Sequence, residues 1–308
     1  MLSIIIPSYN EEKMIQRAAD TINTYMSGAG IDCDIFFVDD GSRDATWQRI
    51  EEVCGKYGNV TGLHFSRNFG KEAAMFAGLE AADGECVAVL DCDLQHPPEK
   101  LIEMYRLWEQ GAEVVEGVKE DRGDESAAHR FAANTFYRLI SGATGMDMAN
   151  ASDFKLLDRK VVDTLNALPE RKVFFRALSY WVGYRKEEVT YRVAERTEGE
   201  SKWSTGALIR YAVTNKTSFS SMPLHIITGL GAVMLLISLV LGITALVQKI
   251  CGTALGGFTT VILISLFSGS VIMISLGILG FYIERIYEEI KGRPRYIISG
   301  TCGKGDKA

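Results

Sequence analysis

The chain has 308 residues, a formal net charge of −6 and a pI near 5.4. A chain of this length can form one large domain or two, and its acidic balance argues against a general nucleic-acid-binding protein. Acidic residues are concentrated in the first two thirds, whereas long apolar runs lie in the last third. This asymmetry predicts an acidic, water-soluble domain followed by a membrane module.

Six cysteines are spread along the chain, and no two of them form a CxxC pair. None has a histidine partner at the spacing of a zinc site, so we interpret all six as free thiols in a reducing compartment. The apolar start of the chain, LSIIIP, is too short for a cleavable signal peptide and has no basic region before it. We therefore expect the amino-terminal domain to stay in the cytosol.

Apolar strands alternate with helices over the first part of the chain. Strands are predicted at residues 2–9, 34–39, 60–65, 86–90 and 113–117. Helices are predicted between them, at residues 11–26, 44–57, 71–82 and 98–110. Helices of this length between strands indicate parallel βαβ units, with helices on both faces of the sheet and a site at the carboxyl ends of the strands. The GxGxxG and Walker-type phosphate loops do not occur in the sequence.

Two aspartates one residue apart follow the fourth predicted strand, in the sequence VAVLDCDLQHPP. Strand alternation would place Asp91 and Asp93 on one side of the chain and turn Cys92 to the other side. Two carboxylates at the end of a buried strand can bind Mg²⁺ or Mn²⁺, and such a cation keeps open positions for the phosphates of a nucleotide. The alternative is a solvated strand end, because a lone Asp-x-Asp is a weak motif.

Polar residues also follow the second and third predicted strands. Asp39 and Asp40 end the second strand, where a carboxylate can accept hydrogen bonds from a nucleobase or a ribose. Asp44 is explained as well by capping of the next helix. Arg67 and Lys71 follow the third strand and could face a phosphate. Because parallel strands end at one edge of a sheet, these residues are expected to form one site.

The segments PSYNEE, VDDGSRDAT, SRNFGKEAA and LDCDLQHPPE occur in this order, followed by GVKEDRGDE, SDFKLLDRKVVDTL and RTEGESKW. In this pattern the chain resembles the family 2 glycosyltransferases with a GT-A fold, over nearly its whole length. It is most similar to the polyprenyl-phosphate glycosyltransferases, which include dolichyl-phosphate mannose synthases and bacterial undecaprenyl-phosphate glucosyltransferases. The resemblance implies an α/β, Rossmann-like domain with a mostly parallel sheet, helices on both faces and a C-terminal two-helix transmembrane hairpin.

The resemblance also implies roles for individual residues. The metal, Mg²⁺ or Mn²⁺, would bridge the donor diphosphate and be held by Asp91, Asp93 and Gln95. The nucleotide would be bound by Pro7, Tyr9, Glu11, Asp39, Asp40, Arg67, Lys71 and Asp91. Among these, Asp39 would contact the nucleobase. The acceptor phosphate would be bound by Arg130, Ser201 and Lys202. The catalytic residues would be Asp153, Asp93, Arg122, Arg130 and Lys202.

Two residues of the Asp-x-Asp segment depart from the family pattern. Cys92 stands where alanine is frequent, and its side chain is expected to point away from the metal. His96 stands where an acidic residue is frequent, and its role is open.

The implied reaction is inverting transfer of a sugar from UDP-glucose or another UDP-hexose to a polyprenyl phosphate such as undecaprenyl phosphate. Negative charge builds on the leaving diphosphate, where a divalent cation and basic residues stabilise it. A phosphate acceptor is largely ionised at neutral pH, so Asp153 is expected to orient the acceptor as much as to take a proton. The alternatives are a polysaccharide synthase of the same fold, whose usual QxxRW motif does not occur here, and a non-catalytic membrane partner.

Two apolar runs, residues 226–247 and 259–283, contain no charged residue and are each long enough to cross a bilayer. Basic residues lie before the first run and after the second, so the positive-inside rule places these two flanks in the cytoplasm. The alternative is a buried helical hairpin of a soluble protein. Ser265 and Gly269 form a small-xxx-small pair that could pack helices in a homo-oligomer.

The chain is therefore divided into a cytoplasmic glycosyltransferase domain (1–202), interfacial juxtamembrane helices (203–225), two transmembrane helices (226–283) and a cytoplasmic tail (284–308). This division predicts a multi-pass protein of the cytoplasmic (inner) membrane with its catalytic domain in the cytosol. The expected partners are the nucleotide-sugar, the polyprenyl-phosphate lipid and the membrane, with no nucleic acid.

Overall fold

The computed structural model describes residues 1–120, 152–170, 174–192, 222–252 and 257–304. The chain divides into two compact units. The first comprises residues 1–141, 146–203 and 294–308, and the second comprises residues 142–145 and 204–293. The second unit therefore interrupts the first in sequence, and the last residues of the chain complete the first unit.

Among the described residues, eight strands form one sheet in the order β7-β5-β6-β4-β1-β2-β3-β8. The strands are β1 (Leu2–Ser8), β2 (Cys33–Asp39), β3 (Val60–Phe65), β4 (Cys86–Val89), β5 (Val114–Lys119), β6 (Lys155–Asp158), β7 (Lys186–Tyr191) and β8 (Ile298–Gly303). Neighbouring strands pair in parallel, except that β6 is antiparallel to β4 and β5 and β8 is antiparallel to β3. The predicted α/β fold with a mostly parallel sheet is confirmed.

Helices cover both faces of this sheet. The helices of the first unit are α1 (Ile15–Gly28), α2 (Thr46–Lys56), α3 (Lys71–Ala81), α4 (Glu99–Glu109), α5 (Arg159–Ala167) and α6 (Phe175–Trp181). On β1, Leu2, Ile4 and Ile6 lie in one hydrophobic core with residues of α1, α2 and α4. Ile5 faces the other side, where a methyl group added to Gly78 of α3 would lie 2.3 Å from it. This alternation is that of a strand buried on both faces.

The strand β8 lies in the segment that the sequence analysis assigns to a cytoplasmic tail. It adds to the edge of the sheet beside β3. Just before it, Arg295 donates hydrogen bonds to the carbonyl oxygens of Leu168 (2.6 Å) and Glu170 (2.9 Å). Tyr296 stacks on Phe65 with ring centroids 5.0 Å apart. This part of the segment is therefore built into the first unit.

Cys54 of α2 and Cys302 of β8 form a disulfide, with their Cα atoms 6.2 Å apart. The prediction of six free thiols is wrong for this pair, whereas the cysteines at 33, 86, 92 and 251 are free. Sequence spacing does not indicate the pair, because the two residues are 248 positions apart. They meet because β8 pairs with β3, next to α2.

The second unit contains two long helices, α7 (Met222–Ile250) and α8 (Phe258–Ile290). In the described part of the chain, one segment, Phe267–Ile290, is long and apolar enough to cross a membrane by length and composition. Most of its large apolar side chains are exposed, for example Met273, which is 68% exposed. A long apolar surface of this kind suggests membrane association.

Candidate active site

The turn after β2, residues 39–42, is called the β2 turn here, and hydrogen bonds within it hold it in place. Asp39 is fully buried, and its Oδ1 accepts hydrogen bonds from the backbone N–H (3.0 Å) and the hydroxyl of Ser42. Its Oδ2 lies 2.7 Å from Nδ1 of His64 in β3. Gly41 has a φ of +64°, and a Cβ there would lie 2.4 Å from the backbone of the loop after β3. Only glycine fits this position.

Asp40 joins the β2 turn to the loop after β3. Its carboxylate accepts hydrogen bonds from the backbone N–H groups of Phe69 (2.6 Å) and Gly70 (2.9 Å), and the residue is almost fully buried. Burial raises the pKa of Asp40, and the two N–H groups partly offset that rise. The resemblance implies that Asp40 contacts the nucleotide, but in this structure its oxygens link two loops.

The loop after β1 is bound to the β2 turn and to the start of α2. The backbone N–H of Asn10 donates to the Ser42 hydroxyl (2.9 Å), and that of Glu11 donates to the Thr46 hydroxyl (2.8 Å). Because these residues are tied to a neighbouring loop, α1 begins at Ile15 and not at residue 11 as predicted.

Asp44 lies one residue before Ala45, the N-cap of α2, and its side chain bonds the first residue of that helix. Its Oδ1 accepts a hydrogen bond from the backbone N–H of Thr46, at 3.0 Å. The predicted nucleotide-binding side chains nearby are more accessible. Tyr9 and Arg67 are exposed, and Pro7 and Glu11 are partly buried. The loops after β1, β2 and β3 thus form one edge that carries most of the predicted nucleotide-binding residues.

Four charged side chains form a second group at the carboxyl ends of the strands, called the ionic cluster here: Lys71, Asp91, Asp153 and Arg176. Lys71 Nζ lies 2.6 Å from Asp91 Oδ1 and 3.0 Å from Asp153 Oδ2. Arg176, at the start of α6, donates to both carboxylate oxygens of Asp153, at 2.6 and 2.8 Å. The cluster joins the predicted metal-binding loop to the predicted acceptor-site residue through one lysine.

The charges in the ionic cluster decide its protonation. Burial alone would raise the pKa of Asp153, but the charges of Arg176 and Lys71 outweigh burial and hold that pKa well below its usual range. Burial also opposes the charged forms of Asp91 and Lys71, yet their mutual attraction lowers the pKa of Asp91 and raises that of Lys71. All four groups are therefore charged at neutral pH.

Glu72, next to Lys71, differs from these carboxylates. Burial, together with the negative charge of Asp153, raises its pKa to about 7. One of its oxygens accepts a hydrogen bond from the backbone N–H of Phe175, at 2.8 Å. Glu72 thus connects the start of α3 with the start of α6 beside the cluster.

The segment from Asp91 to Asp93 forms a turn and does not continue β4. The backbone N–H of Leu94 donates to the carbonyl of Asp91 (3.3 Å), and Leu94 has a φ of +54°. Strand alternation is therefore the wrong reason for the orientation of these side chains. Cys92 nevertheless lies in the hydrophobic core. Asp93 Oδ1 accepts a hydrogen bond from the backbone N–H of Gln95, at 3.1 Å.

The donor set of this loop suits a metal that the substrate helps to hold. In the part of the chain that the structure describes, no three His, Cys, Asp or Glu side chains converge into a metal cage. Mg²⁺ is commonly bound by one or two carboxylates together with substrate phosphates, which Asp91 and Asp93 can supply. Lys71 Nζ lies 2.6 Å from Asp91 Oδ1, and a bound cation would take its place at that oxygen. These residues therefore fit a cation completed by a diphosphate.

A buried network supports the segment that carries Asp153. Glu116 of β5 is fully buried, forms an ion pair with Lys155 (3.0 Å) and accepts a hydrogen bond from the backbone N–H of Ser152 (2.8 Å). The hydroxyl of Tyr180 also donates to Glu116. Tyr180 and Arg176 are one helical turn apart in α6, so this helix contacts Asp153 directly through Arg176 and the supporting Glu116 through Tyr180.

Arg176, Glu72 and His64 are site residues that the sequence analysis missed. Arg176 lies in the apolar run FFRAL, where an isolated arginine is the only signal that could have drawn attention to it. Its partner Asp153 is 23 positions away, beyond the reach of any motif spacing. The predicted residues Arg122, Arg130, Ser201 and Lys202 lie outside the described residues.

Known proteins show what the chain is similar to. Residues 3–165 match the family model described as Glycosyl transferase family 2. The SfII prophage-derived bactoprenol glucosyl transferase of Shigella flexneri is 36% identical over 299 residues, which cover 96% of this chain and 97% of that protein. The putative glycosyltransferase CsbB of Bacillus subtilis is 38% identical over 300 residues, covering 97% and 91%.

A solved structure shares the fold of the first unit. The glucosyl-3-phosphoglycerate synthase of Mycobacterium tuberculosis matches with a TM-score of 0.50 at 19% identity, over 71% of this chain and 79% of that chain. At this identity the match shows a common fold.

Proposed function

Because this chain belongs to glycosyl transferase family 2, we propose that it transfers a hexose from a nucleotide-sugar to a polyprenyl phosphate. The donor we propose is UDP-glucose or another UDP-hexose, and a single displacement would invert the anomeric configuration. The observation that carries the proposal is the ionic cluster, in which Lys71 contacts both Asp91 and Asp153 within 3.0 Å. Donor-side and acceptor-side groups must lie this close for the two substrates to react.

The lipid acceptor is supported by similarity to the bactoprenol glucosyl transferase of Shigella, which extends over 96% of this chain. In the proposed reaction an oxygen of the lipid phosphate attacks the anomeric carbon, and the bond from that carbon to the nucleoside diphosphate breaks. The diphosphate leaves with the bonding electron pair. Charge is therefore transferred from the acceptor to the leaving group, and the site must stabilise it there.

The nucleotide would lie on the edge formed by the loops after β1, β2 and β3. Asp39 would face its base, and Pro7, Tyr9, Glu11 and Arg67 would line the pocket. Asp39 is held by Ser42 on one oxygen and by His64 on the other, so its carboxylate is fixed before the donor arrives. A preformed acceptor of hydrogen bonds avoids part of the entropy cost of binding.

Asp91 and Asp93, with Gln95, would hold a divalent cation, Mg²⁺ or Mn²⁺. When bound, such a cation supplies positive charge to the diphosphate as it leaves. Lys71 would also stabilise the diphosphate, because its ammonium group lies next to Asp91 and can move toward the negative charge that builds on the leaving group.

Asp153 would orient the acceptor and is ionised before the acceptor arrives. Arg176 and Lys71 hold its pKa low, which makes it a poor base, and the lipid phosphate needs little deprotonation at neutral pH. The acceptor phosphate would be bound by Arg130, Ser201 and Lys202, with Arg122 near the reacting groups. Asp153 would then hold Arg176 and Lys71 in place beside the acceptor.

For membrane attachment we propose two spans, residues 226–247 and 259–283, with residues 203–225 at the interface and both flanks in the cytoplasm. The absence of charge from both runs supports this, as do the flanking basic residues. This arrangement is that of a multi-pass protein of the inner membrane. It would bring a lipid phosphate to the cytoplasmic face, where the nucleotide-sugar is available.

The test is a donor screen with the full chain purified in detergent, undecaprenyl phosphate, and Mg²⁺ or Mn²⁺. UDP-glucose, UDP-N-acetylglucosamine, other UDP-sugars and GDP-mannose are compared, and both nucleotide release and the glycosylated lipid are measured by mass spectrometry. We expect a lipid product from one donor, with β linkage from an α-linked donor by NMR. The Asp91→Asn variant should give none.

Two results would contradict the proposal. A folded protein that forms no lipid product from any donor would favour a non-catalytic membrane partner. A polymer of several sugars on the acceptor would favour a polysaccharide synthase of the same fold.

A further inference from the structure

His96 is an ionisable residue of the Asp-x-Asp segment to which the proposed function gives no role. It lies three residues after Asp93 and is 8% exposed. Its Nδ1 atom is buried and has no hydrogen-bond partner among the described residues. A buried polar atom without a partner typically costs about 1–3 kcal/mol, so such an atom calls for an explanation.

The ring of His96 is held on two sides. It stacks on Phe154, with centroids 4.9 Å apart and planes 8° apart, and it meets the edge of Tyr191 at 5.6 Å. Phe154 itself is fixed against β5, because a Cβ at Gly117 would lie 2.3 Å from its ring. These contacts fix the plane of the imidazole ring, and within that plane Nδ1 lies on the side of Asp91.

In this orientation Nδ1 of His96 lies 3.9 Å from Oδ2 of Asp91. This distance is too long for a hydrogen bond but is short enough to close by a small rotation of the carboxylate. The other oxygen of Asp91, Oδ1, is held by Lys71 at 2.6 Å. The two oxygens of Asp91 thus face different partners: Oδ1 contacts Lys71, and Oδ2 faces His96 without a hydrogen bond to it.

We propose that His96 is a positioning residue that donates a hydrogen bond from Nδ1 to Oδ2 of Asp91 and so orients this carboxylate toward the divalent cation. This inference rests on the proposed function, which places the cation at Asp91. Partners that hydrogen-bond a metal-binding side chain fix its orientation and raise affinity for the metal. The Nδ1 atom that lacks a partner here gains one in that state.

The position of His96 has a second consequence. Its ring stacks on Phe154, which directly follows Asp153, while its Nδ1 faces Asp91. One imidazole therefore connects the donor-side loop to the acceptor-side segment. The separation of the two substrates would then depend on this stack as well as on Lys71.

Two substitutions test the role of Nδ1 and the role of the aromatic ring of His96 separately. His96→Phe keeps an aromatic ring on Phe154 and removes Nδ1, whereas His96→Asn keeps a donor near the place of Nδ1 and removes most of the ring. Mn²⁺ binding to the full chain in detergent, with UDP present, is measured by the EPR signal of free Mn²⁺. We expect binding about 10-fold weaker or more in His96→Phe and within about 3-fold of wild type in His96→Asn.

Thermal unfolding of each variant checks that the first unit remains folded. Glu103→Gln, at an exposed carboxylate of α4 that pairs with Lys100, serves as the control; at saturating UDP its Mn²⁺ affinity should equal that of wild type. Donor turnover provides a second readout. In His96→Phe, raising Mn²⁺ to saturation should recover most of kcat, a rescue that damaged packing alone would not show.

Each remaining outcome counts against the inference. Wild-type Mn²⁺ affinity in His96→Phe, or equal weakening in both variants, would overturn the assignment to Nδ1. Nitrogen modulation from His96 in the pulsed EPR of bound Mn²⁺ would make it a direct ligand and overturn the positioning role. If wild type binds no Mn²⁺ with UDP present, the cation of the proposed function fails as well, which distinguishes the two failures.

Discussion

Two pairs of aspartates at the same edge of the sheet are held in opposite ways. Asp39 and Asp40 are buried, and their partners are mainly backbone N–H groups, a serine and a histidine. Asp91 and Asp153 are held by the side chains of Lys71 and Arg176. Backbone partners are fixed when the loops fold, whereas a lysine side chain can move away when another cation arrives.

This difference fits two tasks. The β2 turn is suited to recognition of a constant group, since its carboxylates cannot change partners without disturbing two loops. The ionic cluster is suited to a step in which charge moves, since its partners are mobile and charged. Substitution of Asp40 in the β2 turn should therefore mainly reduce stability, and substitutions in the cluster should mainly reduce activity.

The largest effect is expected at the Asp-x-Asp turn. Asp91→Asn or Asp93→Asn should lower sugar transfer by about 10³-fold or more, because the cation on the leaving diphosphate would lose a carboxylate. Thermal unfolding should change little in Asp93→Asn. Transfer is measured as glycosylated lipid formed per unit time at saturating donor.

Cys92→Ala is the matched control, since Cys92 lies between the two aspartates but points into the core. We expect a stability loss of about 1 kcal/mol from the smaller side chain and nearly unchanged turnover. Turnover reduced as much as in Asp91→Asn would contradict the geometry of this turn.

The next effect is expected at Arg176. Arg176→Lys keeps the positive charge but loses the two-point contact with Asp153, and kcat should fall by about 10- to 100-fold as the carboxylate loses its orientation. The KM for the donor should stay near that of wild type. Steady-state kinetics with each substrate varied in turn check this separation.

Tyr180→Phe, one helical turn further along α6, supplies the comparison for Arg176. Its hydroxyl contacts Glu116 and not Asp153. We expect lower stability with less than a 3-fold change in kcat. A loss of kcat as large as in Arg176→Lys would show that the packing of α6, and not the guanidinium, governs Asp153.

In the β2 turn the expected effect is on stability. Asp40→Ala leaves the N–H groups of Phe69 and Gly70 without their buried partner, so the free energy of unfolding should fall by about 2–3 kcal/mol. Denaturant unfolding of the full chain in detergent measures it. Asp163→Ala, at an exposed carboxylate of α5, should change it by less than about 0.5 kcal/mol. Equal effects at Asp40 and Asp163 would show that the buried hydrogen bonds of Asp40 do not stabilise the fold.

The last effect is a pH dependence of stability at Glu72, which appears only in a limited pH range. Its pKa is about 7 in the folded protein, above the model-peptide value of 4.5, so the folded state binds this proton more tightly than the unfolded state. Stability from this group is complete below pH 4.5 and is lost as pH rises through 7. Glu72→Gln should remove this loss, about 2–3 kcal/mol between pH 5 and 8. Identical pH profiles of unfolding for wild type and variant would show that Glu72 does not titrate there.

Much of the fold could be predicted from the sequence because its signals are local. The strands β1 to β5 and the helices between them follow from short apolar runs and helical spacing, and their boundaries are wrong by only a few residues. The error at the end of β4 matters more, because it led to the wrong conformation for Asp91–Asp93. These residues form a turn that depends on Leu94 adopting a φ of +54°. No apolar pattern indicates that conformation.

The strands β6, β7 and β8 were missed for a different reason. β6 is antiparallel to its neighbours, and β8 pairs with β3 across more than 230 positions of sequence, from Phe65 to Ile298. A short strand next to charged residues is recognisable only when its partner is known. The disulfide of Cys54 with Cys302 depends on the same pairing.

The sequence by itself determined the family, the mostly parallel sheet and the edge at which polar loops gather, since each of these depends on local patterns and ordered motifs. Only the tertiary structure decided which charges meet: Lys71 with both Asp91 and Asp153, Arg176 with Asp153, and His96 with Phe154 and Asp91. These contacts join residues from separate elements. Their partners are fixed by how the elements pack in space, and that packing has no signature in the spacing of residues along the chain.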